Sequence, residues 1–139
     1  MAETNMNPYE LWLRRLLVII GIGLMTATIP ILFPANLMAT IHGWLGLGDF
    51  PDSPITIYLA RSTSLLYAVH GFIMMLTGWK YEQLNLLAPI LGWLHFGLGL
   101  IMLGIDLNAG MPWYWTALEG PPISCTGLGL VWLANKATG

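Results

Sequence analysis

The stretch Ile57–Trp79 (IYLARSTSLLYAVHGFIMMLTGW), the four residues Lys80-Tyr81-Glu82-Gln83, and then Leu84–Ile105 (LNLLAPILGWLHFGLGLIMLGI) decide the fold. Each apolar run is about 22 residues long, and about 20 helical residues cross the ~30 Å hydrocarbon core of a bilayer. With so short a connection, the two runs form a tight helical hairpin. Arg61 interrupts the first run. A charge in such a segment costs about 2.5–3.5 kcal/mol on insertion scales, so it requires a partner or a route to the headgroups.

Composition agrees with the hairpin. The 139 residues are 56% hydrophobic and 9% charged, against about 25% charged for soluble domains. Too little polar surface remains to coat a water-exposed globule, and one integral membrane domain over 1–139 is expected. A net charge of −2 gives no basic footprint for nucleic acid. The single cysteine, Cys125, has no internal disulfide partner, and no Cys/His spacing fits a zinc site. Seven tryptophans and five tyrosines suit the headgroup belts of a membrane protein. There is no Gly-x-Ser-x-Gly, Gly-Lys-Ser/Thr phosphate cradle, His-Glu-x-x-His or Cys-x-x-Cys, and no internal repeat.

Upstream of the hairpin, Leu16–Phe33 follows Arg14-Arg15 and is about 18 residues. A retained helix over about 11–33 is favoured over a signal peptide, because the run is long and no clean cleavage signature follows. Near the other end, Ile123–Ala134 alone is too short to span. A span over 113–135 contains Glu119-Gly120-Pro121-Pro122, and two prolines would kink it. The kinked span is preferred; the alternative is a short interfacial helix over 113–119 followed by a thin or tilted span. Between the first two spans, Asn36–Leu47 fits an interfacial helix and 48–54 a turn-rich loop, with Asp52 or Ser53 near the next helix start. The expected fold is thus an all-α membrane protein. It is a four-helix transmembrane bundle (about 11–33, 56–79, 84–106 and 113–135) with an interfacial helix or loop between helices 1 and 2.

Four spans put both termini and the central hairpin on one side. That side carries Arg14, Arg15, Lys80 and Lys136, and the opposite loops carry no Lys or Arg, so the termini are expected in the cytoplasm. Arg61 then lies in the outer third, with Asp106 at the outer end of the third span and Glu119 at that of the fourth. An ion-paired cluster of Arg61 with Asp106 or Glu119 follows, with Tyr58, Tyr114 and Trp115 supplying hydrogen bonds or ring faces. It serves either to pin helices together or to line an outward-facing polar pocket; the further alternative is Arg61 snorkelling to the headgroups.

His70 and His95 fall at similar mid-membrane depth, where a facing pair could ligate a b-type haem or a metal. Nearby glycines (Gly71, Gly92, Gly97, Gly99) bring helices close and leave little room for a macrocycle, so hydrogen bonding inside the bundle is the plainer reading and no cofactor is expected. At 100° per residue, His95, Gly99, Met102 and Asp106 share one stripe, whereas Arg61 and His70 point nearly opposite ways. Either Arg61 or His70 therefore faces a helix other than the third, and Glu119 on the fourth is the candidate for Arg61, with Asp106 still open as its partner.

The order of helix, Phe33-Pro34, outer loop, Tyr58-Leu-Ala-Arg-Ser-Thr-Ser-Leu-Leu-Tyr67 and short hairpin resembles small bacterial four-helix membrane proteins of the DoxX-like kind. So does Gly104-Ile-Asp-Leu-Asn-Ala-Gly-Met-Pro-Trp-Tyr-Trp115 with Glu119-Gly-Pro121. The resemblance implies a bacterial inner-membrane protein and transfers no activity. Two functions follow: a structural or accessory subunit associating with itself or other membrane subunits, or a binder of a small molecule or lipid around Arg61. A b-type haem protein is the minor alternative. Enzyme activity has no motif to support it.

Overall fold

The computed structural model describes residues 7–138. They form helices α1 (Pro8–Met25), α2 (Thr28–Ile31), α3 (Ala35–Trp44), α4 (Pro54–Trp79), α5 (Tyr81–Leu84), α6 (Leu87–Ala109), α7 (Trp113–Leu118) and α8 (Gly120–Thr138), with no strand among the described residues. Three segments are long and apolar enough to cross a membrane: Pro8–Ile31, Pro54–Trp79 and Leu87–Ala109. The 19-residue α8 is not among them. Its Gly, Ser, Thr, Asn and Lys positions dilute its apolar character.

Prolines set where these helices begin. Proline lacks the N–H that a helix interior needs, but first-turn N–H groups have no intrahelical acceptor anyway. Pro8 and Pro54 accordingly open α1 and α4, Pro89 sits third in α6, and Pro121 and Pro122 sit second and third in α8. This changes two expected boundaries. The third helix begins at Leu87 rather than Leu84, leaving Tyr81–Leu84 as a separate single turn. The segment 113–135, expected as one kinked span, is two helices divided at Glu119, because its prolines start a helix instead of bending one. Pro30 acts on the first segment in the same way. It cannot bond the Thr26 carbonyl, which takes the Ile29 N–H instead (3.0 Å), and α1 stops at Met25.

The described residues fall into two units, 7–20 with 74–138, and 21–73. In the first, Leu13, Leu17, Met74, Thr77 and Leu130 are fully buried. Its tightest contact is the antiparallel pairing of α6 with α8 through two glycines on each helix, seven residues apart: Gly92 and Gly99, Gly120 and Gly127. A Cβ at Gly92 would lie 2.8 Å from a Val131 methyl, and one at Gly120 would lie 2.7 Å from the Gly99 carbonyl oxygen. The Ser124 hydroxyl donates across this seam to the Phe96 carbonyl (3.2 Å). Such close backbone approach is how small residues let apolar helices associate where lipid removes the hydrophobic drive. Gly78 of α4 does the same against α1, 2.7 Å from the Arg14 carbonyl oxygen by the same measure.

In the second unit, Gly71 of α4 packs on α1, where a Cβ would meet the Gly21 carbonyl oxygen at 2.6 Å. The helix expected near 36–47 is present as α3, capped by the extended Pro34. Behind it His42 Nδ1 lies 3.1 Å from the Gly48 carbonyl oxygen, with the ring edge-on to Phe50. The Ser53 carbonyl accepts the N–H of Thr56 (3.0 Å) and so starts α4.

Candidate functional site

Arg61 is the only charged residue in α4, and it is exposed. Its Nη2 donates to the Phe33 carbonyl oxygen at 3.0 Å, within its own unit. Phe33 lies two residues past α2, after Leu32, and precedes Pro34, so its carbonyl belongs to the C-terminal end of the first apolar segment. A helix C-terminus carries unpaired carbonyls and partial negative charge, and a guanidinium is well matched to both. Arg61 thus cross-braces the start of α4 to the end of α2. The residue was legible in the sequence; its acceptor was not, because a backbone carbonyl has no sequence signature. Tyr58, one turn earlier, is exposed.

Asp106, Glu119, Tyr114 and Trp115 belong to the other unit. Asp106 is 3% exposed, and its Oδ2 has no hydrogen-bond partner among the described residues. Its main-chain carbonyl accepts the Met111 N–H (3.0 Å), where Gly110 (φ +68°) closes α6. The Trp115 indole N–H donates to Glu119 Oε2. This contact spans the break between α7 and α8 and holds the carboxylate over it. His95 is buried in α6 together with Gly99 and Asp106, three of the four positions on the stripe read from helical phase. His70 is half-buried in α4, in the other unit. No group of three or more His, Cys, Asp and Glu side chains converges among the described residues.

A second cluster lies at the opposite end of α4, among the basic residues that set the expected orientation. Arg14 pairs with Glu10 (3.5 Å) and its guanidinium lies 6.0 Å from the centre of the Tyr81 ring. Arg15 sits over Trp12 at 5.6 Å. The available signal was the interleaving of cations and rings in Trp12-Leu-Arg-Arg15 and Trp79-Lys-Tyr81. Burial pushes the Tyr81 phenol above its ordinary value; Glu10 adds to the rise and Arg14 opposes it. A raised folded-state value means a contribution to stability that is present below about pH 10, the usual tyrosine value, and is lost as pH climbs through the raised one. Difference absorbance between the wild type and Tyr81→Phe should therefore show a phenolate transition above that of the remaining tyrosines. A transition at or below about pH 10 would contradict the buried placement of Tyr81.

No protein-family model, curated protein or solved structure matches this chain. The functional reading rests on residues and geometry.

Proposed function

We propose that the chain is an integral membrane protein of four spans, with α8 as the fourth and both termini cytoplasmic. Its role is that of a structural or accessory subunit, and the DoxX-like resemblance implies only the location, the inner membrane of a bacterium. The supporting observation is that α6 has two glycine faces and uses one. Gly92 and Gly99 are filled by α8, while a Cβ at Gly97 or Gly104 would meet nothing within 4 Å among the described residues. Those two glycines are again seven residues apart and lie about 140° around the helix from the first pair. They leave a flat strip on which a further helix, from a second copy or another subunit, can pack closely. Arg61 supports the same reading, since its guanidinium donates to a backbone carbonyl of its own chain.

The double substitution Gly97→Leu/Gly104→Leu is expected to leave helicity and thermal stability unchanged while removing the larger species seen by cross-linking in the membrane. An assembly that survives this change would show that the open face is used by lipid alone.

A second reading, an outward-facing binding site, is favoured by the buried Asp106 Oδ2 without a partner. Burying such a group uncompensated costs about 1–3 kcal/mol or more, a reason to expect a donor from outside the chain. Asp106→Asn tests it. Loss of a co-purifying lipid or quinone supports the binder, and an unchanged extract with unchanged assembly removes it.

A further inference from the structure

The end of the chain that carries its cations also carries a groove. Leu11, Arg14, Arg15, Val18 and Ile19 of α1 form one wall, and Gly78 with Trp79 of α4 form the other, enclosing about 370 Å³. That volume is within the range of small-molecule sites. The lining is graded along α1. Arg14 and Arg15 stand at one end, and Val18 and Ile19 continue one turn deeper into the apolar segment. Gly78 lets the α4 backbone sit directly on the Arg14 carbonyl and Leu17, and the groove runs beside this close contact. Beside the basic end, a smaller hollow of about 190 Å³ is lined by Arg14 and Trp79 together with Lys80, Tyr81, Glu82 and Gln83. Among the described residues at this end, Arg14, Arg15, Lys80 and Lys136 stand against Glu10 and Glu82.

We infer that this groove binds an anionic phospholipid. The phosphate sits at the basic end by Arg14 and Arg15, next to the hollow that Lys80 lines, and an acyl chain lies along Val18 and Ile19 against Trp79. Charge complementarity selects the occupant. A second apolar helix would satisfy the deep half but would leave the arginines facing hydrocarbon, whereas a headgroup phosphate accepts a guanidinium fork and an ammonium together. Trp12 and Trp79 flank the site at the level where indole rings prefer the interface. On the cytoplasmic side, where basic residues collect, anionic lipid is the available partner. The inference adds a ligand to the protein and does not depend on its having a subunit role.

The test uses the full chain in phosphatidylcholine vesicles containing a rising fraction of dibrominated phosphatidylglycerol. Dibrominated phosphatidylcholine is the matched control, and tryptophan quenching is the readout. The wild type should be quenched at a lower fraction of the anionic lipid than of the zwitterionic one. Each basic side chain removed, as in Arg15→Gln or Lys80→Gln, should weaken that preference about fivefold. Trp79→Phe should remove the preferentially quenched component. Raising the salt concentration should erode the preference in the unmodified protein, so the outcome does not depend on any variant folding. Coincident quenching curves for the two lipids in the wild type would overturn the assignment. So would a preference that disappears as the protein is concentrated in the bilayer, which would give the groove to a second copy.

Discussion

Gly127→Leu is expected to separate α6 from α8 and to lower stability by about 3 kcal/mol or more, with Gly127→Ala costing about 1–3. The reason is geometric. A Cβ on Gly127 would lie 2.7 Å from the Phe96 Cα and 2.8 Å from the Gly92 carbonyl oxygen, with the Phe96 nitrogen closer still. All of these are backbone atoms of a helix and cannot swing aside as the tip of a side chain can. Relief requires the two helices to move apart, which also withdraws Ser124 from the Phe96 carbonyl and opens the face that buries His95 and Asp106. Gly129, two residues along α8, is the internal control, because a Cβ there meets nothing within 4 Å. Gly129→Leu should be close to neutral in the same thermal unfolding measurement in detergent. Equal losses at 127 and 129 would mean that helix propensity, not the seam, governs the effect.

This seam shows what the sequence could and could not disclose. Long apolar runs announced three helices able to cross a membrane, since span length is a local property of composition. The glycines were recognisable as packing surfaces, but which of them meet a neighbour depends on helix rotation, a tertiary choice. Gly92 and Gly97 look alike in sequence and differ completely in surroundings. The prolines carry boundary information. Treated as kinks, Pro121 and Pro122 suggested one bent span; treated as first-turn residues they mark the start of α8 at Gly120. Arg61 was visible as an anomaly, yet its acceptor, the Phe33 carbonyl, is 28 residues away and chemically anonymous. Its proposed acidic partners, Asp106 and Glu119, belong to the other unit.

Arg61→Leu should change local order far more than membrane insertion. Two terms oppose each other. Removing a charge from an apolar segment favours insertion, by less than the about 2.5–3.5 kcal/mol of a central position because Arg61 is seven residues from the start of α4. Losing a charge-assisted hydrogen bond costs about 1.5 kcal/mol, the lower end of its range, since the side chain is exposed. The first term acts on the span as a whole and the second on one carbonyl. The variant should therefore insert as well as the wild type while the stretch from Leu32 through α3 loses amide protection. Hydrogen exchange in nanodiscs should show faster exchange confined to about residues 32–44, with α6 and α8 unchanged. Arg61→Lys should restore part of the protection through a single ammonium donor. Unchanged exchange over that stretch would show that the Phe33 contact does not hold the loop.

The proposed topology crosses the bilayer four times with the basic end inside, and it takes α8 as a crossing although α8 is not among the three segments long and apolar enough to span. Cysteine labelling of intact cells with a membrane-impermeant maleimide tests this directly, in a Cys125→Ser background with Asp49→Cys, Glu82→Cys, Met111→Cys and Thr138→Cys introduced singly. Four spans predict labelling at positions 49 and 111 from outside, and at 82 and 138 only after the cells are opened. Labelling of 111 and 138 from the same side would show that α8 does not cross, and would contradict the four-span architecture.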